Sequence, residues 1–168
     1  MERGATMPGP PFADASSDND LERLKAEILS MRRHRKDGRP VPHKLVLLLA
    51  VIDCFADGTF RDNRIYLDDR LEMSFRRHFE RFGIEEHQAR IVYPFFHLRS
   101  SPFWYHRIRE GQEASYTAST TVVSKAAANR MIEYAYLSDY AYSVMTSVSK
   151  RERLRSWIEE LLRDELGD

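Results

Sequence analysis

Residues 43–58 read HKLVLLLAVIDCFADG, and this stretch decides the fold. Its apolar side chains fall on nearly every side of a helix instead of along one stripe, which is typical of a helix that is buried all round. Pro42 suits the first turn of a helix, and Gly58 suits its end. We therefore predict a central buried helix from about Pro42 to Gly58, in which Cys54 is a small core residue.

Apolar residues recur at helical spacing on both sides of this central helix. They predict further helices over residues 20–36, 69–82, 124–137 and 149–166, and a short one from Asp139. Strand patterns are shorter. Residues 64–67 are one candidate, residues 91–98 and 103–108 form a pair across a turn at 99–102, and residues 116–123 are either a third strand or an ordered loop. The fold class that follows is α+β, a mostly helical single domain with a small antiparallel sheet or hairpin.

The first residues of the chain differ in composition from the rest. Residues 1–18 (MERGATMPGPPFADASSD) are rich in proline, glycine, alanine and serine and hold few side chains that a core could bury. Such a segment does not gain enough from burial to offset the entropy of ordering it. We predict a flexible leader over residues 1–18 and a folded domain over residues 19–168.

The overall composition sets broad limits. The chain has 168 residues, of which 42% are hydrophobic, so it can build one domain that needs no stabilising metal or disulfide. A single cysteine excludes an intrachain disulfide, and a reducing, cytoplasmic location is expected. The longest apolar run, residues 45–52, is too short to span a membrane, so we expect no membrane partner.

The formal net charge of zero argues against a nucleic-acid-binding protein, which is usually basic. The charge is unevenly distributed, however. Residues 32–44 hold six Lys or Arg against one Asp, and residues 90–109 hold four Arg and no acid, whereas residues 1–30 are net acidic. Two interpretations stay open: one cationic face, or a solvated helix end plus an ordinary hairpin.

We find no positive sign of catalysis in the sequence. None of the six histidines has a recognisable metal-ligand spacing, and the seven glycines are scattered singly instead of forming a phosphate-binding loop. We therefore expect no metal, no cofactor and no catalytic residue.

Two motifs stand out. The first is a basic loop, residues 38–44, that leads into the central helix, where His43 and Lys44 oppose the helix dipole unless an anion is bound. This arrangement indicates a phosphate site, or else a histidine cap beside a solvated lysine. The second is residues 93–99, YPFFHLR, followed by Phe103 and Trp104. We expect most of these aromatic rings in the core, whereas proline in a strand marks an edge that a ligand can meet.

Together these residues carry a resemblance to a known family. His43-Lys44 leading into a leucine-rich helix, then residues 63–65 (NRI), residues 93–99 (YPFFHLR) and Phe103-Trp104, resemble the sulfur-binding domain of phosphorothioate-dependent restriction endonucleases of the McrA type. The resemblance covers about residues 20–165. It implies recognition of double-stranded DNA in which sulfur replaces a non-bridging phosphate oxygen, in a preferred sequence context.

The resemblance also implies roles for individual residues. Tyr93 and Pro94 would form the apolar cavity for sulfur, with His97 near its wall. A residue in the loop near 115–120 would also contribute, although this loop does not align. Contacts to the flanking phosphates and bases would come from a basic and polar set: Arg32, Arg33, Arg35, Arg39, His43, Lys44, Arg99, Ser100 and Ser101.

In this family an HNH nuclease domain usually follows in the same chain. We recognise no such domain in these 168 residues, so we expect this chain to be the non-catalytic targeting module of a restriction system, whose partner would be a C-terminal nuclease domain. Two alternatives stay open. The chain could itself be a DNA endonuclease that uses His97 or His43. It could instead be a protein-interaction module built on Trp157, Leu161 and the tyrosine-rich stretch 134–142.

Overall fold

The predicted central helix, α2, is the core of the fold. A computed structural model describes residues 9–85 and 89–167, with side chains from Asp18 onward. In it α2 spans His43–Ala56, and every side chain from Leu45 to Ile52 is at most 1% exposed. Four other helices contact α2, so its apolar side chains find partners on all sides.

The predicted fold class is confirmed. The chain is 61% helical, with eight helices and two antiparallel sheets of two strands each among the described residues. In chain order the elements are α1 (Gly9–Ser30), β1 (Arg35–Lys36), β2 (Arg39–Pro40), α2, α3 (Asp69–Arg81), α4 (Val92–His97), a 3-10 turn (Leu98–Ser100), β3 (Trp104–Ile108), α5 (Glu113–Ala118), α6 (Lys125–Met131), β4 (Ile132–Leu137), α7 (Asp139–Thr146) and α8 (Val148–Leu166).

The predicted first helix ends earlier than expected, and the leader overlaps it. Helix α1 stops at Ser30 instead of Lys36, and β1 and β2 then form a small hairpin. Asp37 and Gly38 turn this hairpin with φ angles of 54° and 79°, the positive pair that short hairpin turns require. Residues 1–8 lie outside the described part, the backbone of α1 begins at Gly9, and the flexible leader stays a prediction.

The predicted strand over residues 91–98 is wrong, because this segment forms α4 and the 3-10 turn. Pro94 is the third residue of α4, where a backbone N–H would have no partner within the helix, so the proline costs no hydrogen bond. Phe95 and Phe96 are fully buried at adjacent positions. The predicted turn at 99–102 is therefore the end of a helical segment.

Strand β3 is confirmed, but its partner is β4, which lies inside the predicted helix 124–137. Helix α6 ends at Met131, and the alternating pattern of residues 132–137 continues as a strand. The backbone of Ile65 pairs with Ala135 on the other side of β4, and the Asn63 side chain bonds both backbone groups of Leu137. Residues 116–123 form the end of α5 and a loop, not a strand.

A polar network joins three helices beside the core. The Asp53 carboxylate of α2 accepts hydrogen bonds from Ser74 and His78 of α3, at 2.9 and 2.6 Å, and from Arg155 of α8. Burial raises the pKa of Asp53, but the hydrogen bonds from His78 and Arg155 outweigh it and hold the pKa well below its usual range. The network fixes α2, α3 and α8 relative to one another.

The residues considered as a protein-interaction surface lie in different places. Tyr134 and Tyr136 are on β4, where the Tyr136 ring stacks on Tyr105 of β3 at 5.4 Å. Trp157 and Leu161 of α8 are partly buried against the core. Across the described residues, no helix is both long enough and apolar enough to cross a membrane.

Candidate functional site

A cavity of about 1060 Å³ lies where the start of α2, the helix α4 and the loop after α5 meet. All of the predicted site residues line it except Arg39 and Ser101. The lining residues come from four segments: Arg32, Arg33, His34 and Arg35; Val41, His43 and Lys44; Tyr93, Pro94, His97, Arg99 and Ser100; Thr117, Ser119, Thr120 and Thr121.

Helix α4 supplies the apolar wall. Tyr93 and Pro94 line the cavity, whereas the next two residues, Phe95 and Phe96, are fully buried in the core. Adjacent side chains on a helix point about 100° apart, so this short helix presents one face to the cavity and the other to the interior. The Arg90 guanidinium lies 5.0 Å from the centre of the Tyr93 ring and steadies it from outside.

His97 follows Tyr93 by four residues and Pro94 by three, so it lies on the same helix face. Its Nε2 lies 3.2 Å from the hydroxyl of Thr121, which joins α4 to the loop after α5. Burial lowers the pKa of His97, and the nearby charges of Lys44 and Arg99 lower it further. The ring is therefore neutral at neutral pH.

Lys44 is the buried cation of the site. It is 9% exposed, and its ammonium group donates to the backbone carbonyl of Arg32. Burial lowers the pKa of Lys44 to about 8, helped by the charges of Arg33 and Arg32. A desolvated cation in the first turn of α2 is electrostatically unfavourable on its own, and an anion in the cavity would relieve this.

The arginines of the basic loop differ in what they can offer a ligand. Arg32 is exposed, and its side chain makes no hydrogen bond or ion pair with any described residue. Arg33 instead binds the Glu165 carboxylate of α8 through two hydrogen bonds of 2.6 and 2.7 Å and also donates to the Val41 carbonyl at 3.0 Å. Arg35 is exposed and donates to the Gly38 carbonyl at 2.8 Å. Arg33 therefore braces the loop.

The two predicted residues outside the cavity have other surroundings. Ser101 is 4% exposed, and its hydroxyl has no hydrogen-bond partner among the described residues. Arg39 is exposed on β2. Ser100 does line the cavity, and its hydroxyl donates to the His97 carbonyl at 3.0 Å. The ring of His43 lies edge-on to Phe79 of α3 at 5.2 Å, so it is partly used in packing.

The end of α5 and the loop after it are the part of the site that sequence reasoning could not place. Thr117 of α5 and Thr120 and Thr121 of the loop line the cavity, and no motif marks them. Their position depends on the guanidinium of Arg99, which donates to the carbonyls of Tyr116 and Ser119. His34 and Val41, which also line the cavity, lie next to predicted residues but carry no signal of their own.

No group of three or more His, Cys, Asp or Glu side chains within residues 18–85 and 89–167 is arranged to hold a metal ion. Among known families, the model of the ScoMcrA-like DNA sulfur-binding domain matches residues 21–166, which include the whole cavity. No curated protein matches the chain.

Proposed function

Because the chain belongs to the family of ScoMcrA-like DNA sulfur-binding domains, we propose that residues 19–168 bind double-stranded DNA that carries a phosphorothioate linkage and that they do so in this cavity. The observation that carries the proposal is the pairing of two chemistries in one cavity. Tyr93 and Pro94 supply an apolar wall, and Arg32 and Lys44 supply positive charge.

The apolar wall discriminates sulfur from oxygen. A phosphate oxygen is small and strongly hydrated, so pressing it against the carbons of Tyr93 and Pro94 removes water without an equivalent return. Sulfur is larger, more polarisable and a weaker acceptor, so it loses less hydration and gains more dispersion contact in the same space. The neutral ring of His97 continues this wall without adding a charge that would favour oxygen.

The cations provide affinity that does not depend on sulfur. Arg32 has an uncommitted guanidinium, and Lys44 gains an anionic partner for a charge that is otherwise poorly solvated. Contacts of this kind position a duplex and release counterions, but they do not distinguish one linkage from another. Arg35, His43 and Ser100 are further candidates for contacts with the flanking phosphates and bases.

A cytoplasmic location is proposed from the single cysteine, which is typical of a reducing compartment. Three further parts of the proposal rest on the family resemblance. The domain binds without cutting, it serves as the targeting module of a restriction system, and cleavage belongs to a nuclease domain. A cleavage assay tests the first part. Purified chain incubated with sulfur-modified plasmid and Mg²⁺ or Mn²⁺ is expected to leave the plasmid intact, and metal-dependent cutting would establish the endonuclease alternative.

The central experiment compares three duplex pools. All have randomised bases around one fixed linkage, which carries oxygen in one pool and one of the two separately prepared sulfur stereoisomers in each of the others. We expect gel-shift titration at physiological salt to show tighter binding of one sulfur isomer by about tenfold or more. Equal affinity for all three pools would reject the proposal. Sequencing the bound fraction gives the preferred flanking bases.

A further inference from the structure

Arg99 connects the two walls of the cavity. Its two terminal nitrogens donate to the carbonyl oxygens of Tyr116 and Ser119, at 3.2 and 2.7 Å. The same guanidinium lies 4.1 Å from the centre of the Phe96 ring and 4.9 Å from that of Tyr116. The planar fork of arginine matches two carbonyls at once, and its flat face stacks on aromatic rings.

A second contact fixes α5 just before this loop. The Tyr116 hydroxyl lies 2.7 Å from Nδ1 of His106, whose Nε2 lies 2.9 Å from the Phe95 carbonyl. Burial lowers the pKa of His106 to about 4, so the ring is neutral and has one donor and one acceptor. The Tyr116 hydroxyl can donate to Nδ1 while Nε2–H donates to Phe95, which satisfies both ring nitrogens inside the protein.

We propose that Arg99 is a positioning residue for sulfur recognition: it holds residues 117–121 against α4 and so fixes the shape of the cavity, and it does not act as a phosphate contact. The inference rests on the proposed function. The two carbonyls that Arg99 holds, those of Tyr116 and Ser119, are adjacent in the chain to the cavity-lining residues Thr117 and Thr120. A loosened wall would admit water beside the apolar surface and reduce the advantage of sulfur over oxygen.

Arg99→Lys and Arg99→Ala separate positioning from charge. Lysine keeps the positive charge but cannot donate to two carbonyls in one plane or stack flat between two rings. If Arg99 positions the loop, both variants lower the preference for sulfur by about tenfold, and the salt dependence of binding stays that of the wild type. If Arg99 contacts a phosphate, lysine retains affinity and preference, and alanine lowers the salt slope by about 0.9.

Hydrogen exchange tests the same inference without DNA. In Arg99→Lys, we expect faster exchange in residues 116–121 and unchanged exchange in α2. The matched control is Arg107→Lys, because Arg107 is exposed on β3, lies outside the cavity and makes no side-chain hydrogen bond among the described residues. Unchanged loop exchange, or a sulfur preference retained in Arg99→Lys, overturns the inference.

Tyr116→Phe provides a variant that keeps Arg99 in case its replacement prevents folding. It removes only the hydroxyl bonded to His106 and leaves every cavity-lining side chain in place. We expect a severalfold loss of sulfur preference with faster exchange in the same loop, and no change in either would count against the inference. If the wild-type chain itself shows no sulfur preference, the proposed function fails first. If the wild-type chain prefers sulfur and the variants keep the same preference and the same exchange, the positioning role alone fails.

Discussion

Tyr93 and Arg32 line the same cavity but make different demands on a ligand. The carbon atoms of Tyr93 make more favourable contacts with a large, polarisable and weakly hydrated atom than with a small hydrated one. The charge of Arg32 attracts any phosphate equally. Substitutions at the two residues should therefore change different measured quantities, and this separation can be tested directly.

Tyr93→Ala is expected to reduce the preference for sulfur-modified over ordinary duplex by about tenfold or more, because it removes the ring that we propose contacts sulfur. Binding to ordinary duplex is expected to stay within about twofold. Parallel gel-shift titrations measure both. Tyr105→Ala is the matched control, since it removes an exposed tyrosine outside the cavity. A Tyr93→Ala chain that retains full preference would show that the apolar wall is assigned incorrectly.

Arg32→Ala and Arg33→Ala are expected to have contrasting effects. Arg32→Ala should weaken binding to both duplexes and lower the salt slope by about 0.9, as expected for the loss of one phosphate contact. Arg33→Ala should instead lower the free energy of unfolding by about 1–3 kcal/mol, because it leaves the Glu165 carboxylate without its partner. Salt titration and urea denaturation distinguish the two, and the reverse assignment of effects would refute this division of roles.

We expect Lys44 to make DNA binding sensitive to pH. Its pKa in the free protein is about 8, and a phosphate bound beside it would raise this pKa, so binding would take up a proton at higher pH. Affinity for either duplex should be constant below pH 7 and fall above pH 8, approaching tenfold per pH unit. Titrations from pH 6 to 9.5 measure this. Lys44→Met keeps the aliphatic stem and should remove the fall, and an unchanged profile in that variant would exclude Lys44 as its source.

At the scale of elements, the network around Asp53 links three helices. Asp53→Ala leaves His78 and Arg155 without their carboxylate, and we expect a loss of about 1–3 kcal/mol in the free energy of unfolding. Because the pKa of Asp53 is lowered in the folded state, its stabilisation is complete above the unfolded value of about 3.9 and declines as the pH falls below it.

Urea denaturation at pH 7 and at pH 3 measures both effects, and the difference between wild type and variant should shrink at pH 3. Glu80→Ala is the control, since Glu80 is an exposed carboxylate on α3 whose side chain has no bonded partner among the described residues. A variant as stable as the wild type at pH 7 would show that the network adds nothing to stability.

The elements differ in how far sequence predicts them, for physical reasons. Helix α2 is predictable because its apolar stretch is longer than a typical buried strand, so a buried helix is the expected structure. Helix α4 is not, because six residues are too few to distinguish a helical period from an alternating one, and Pro94 argues against a central strand without arguing for a helix. Strand β4 is hidden for a related reason: α6 leads into it without a turn residue.

The site follows the same division. Residues of the two motifs, such as Lys44 and Tyr93, could be predicted, because they lie in distinctive local sequence. The loop that carries Thr120 could not, because its place depends on a contact with Arg99 made across the fold. Arg33 shows a partner that sequence could not predict: it lies in a basic run that suggested a DNA contact, and the structure shows that α8 supplies it with a carboxylate.

At the scale of the whole molecule, a net charge of zero is compatible with DNA binding. Four of the six cations in residues 32–44 line the cavity, while acidic residues elsewhere limit the attraction of the whole chain for DNA. A zero net charge keeps the affinity for unmodified DNA low, because excess positive charge strengthens nonspecific binding.

A combined Glu22→Gln, Asp62→Asn and Glu110→Gln variant tests this balance. It removes three exposed carboxylates outside the cavity and should strengthen binding to ordinary duplex by about threefold to tenfold at low salt, which narrows the preference for sulfur. The charge-conserving variant Glu22→Asp, Asp62→Glu and Glu110→Asp is the control. If the neutralised variant rejects ordinary DNA as well as the wild type does, overall charge plays no part in selectivity.

The bond between Arg33 and Glu165 has a consequence for how the protein is made. The two residues are 132 positions apart, and Glu165 lies at the end of α8. During synthesis the basic loop therefore emerges from the ribosome well before the carboxylate that braces it. A nascent chain in which α8 has not yet been made has its basic loop unbraced.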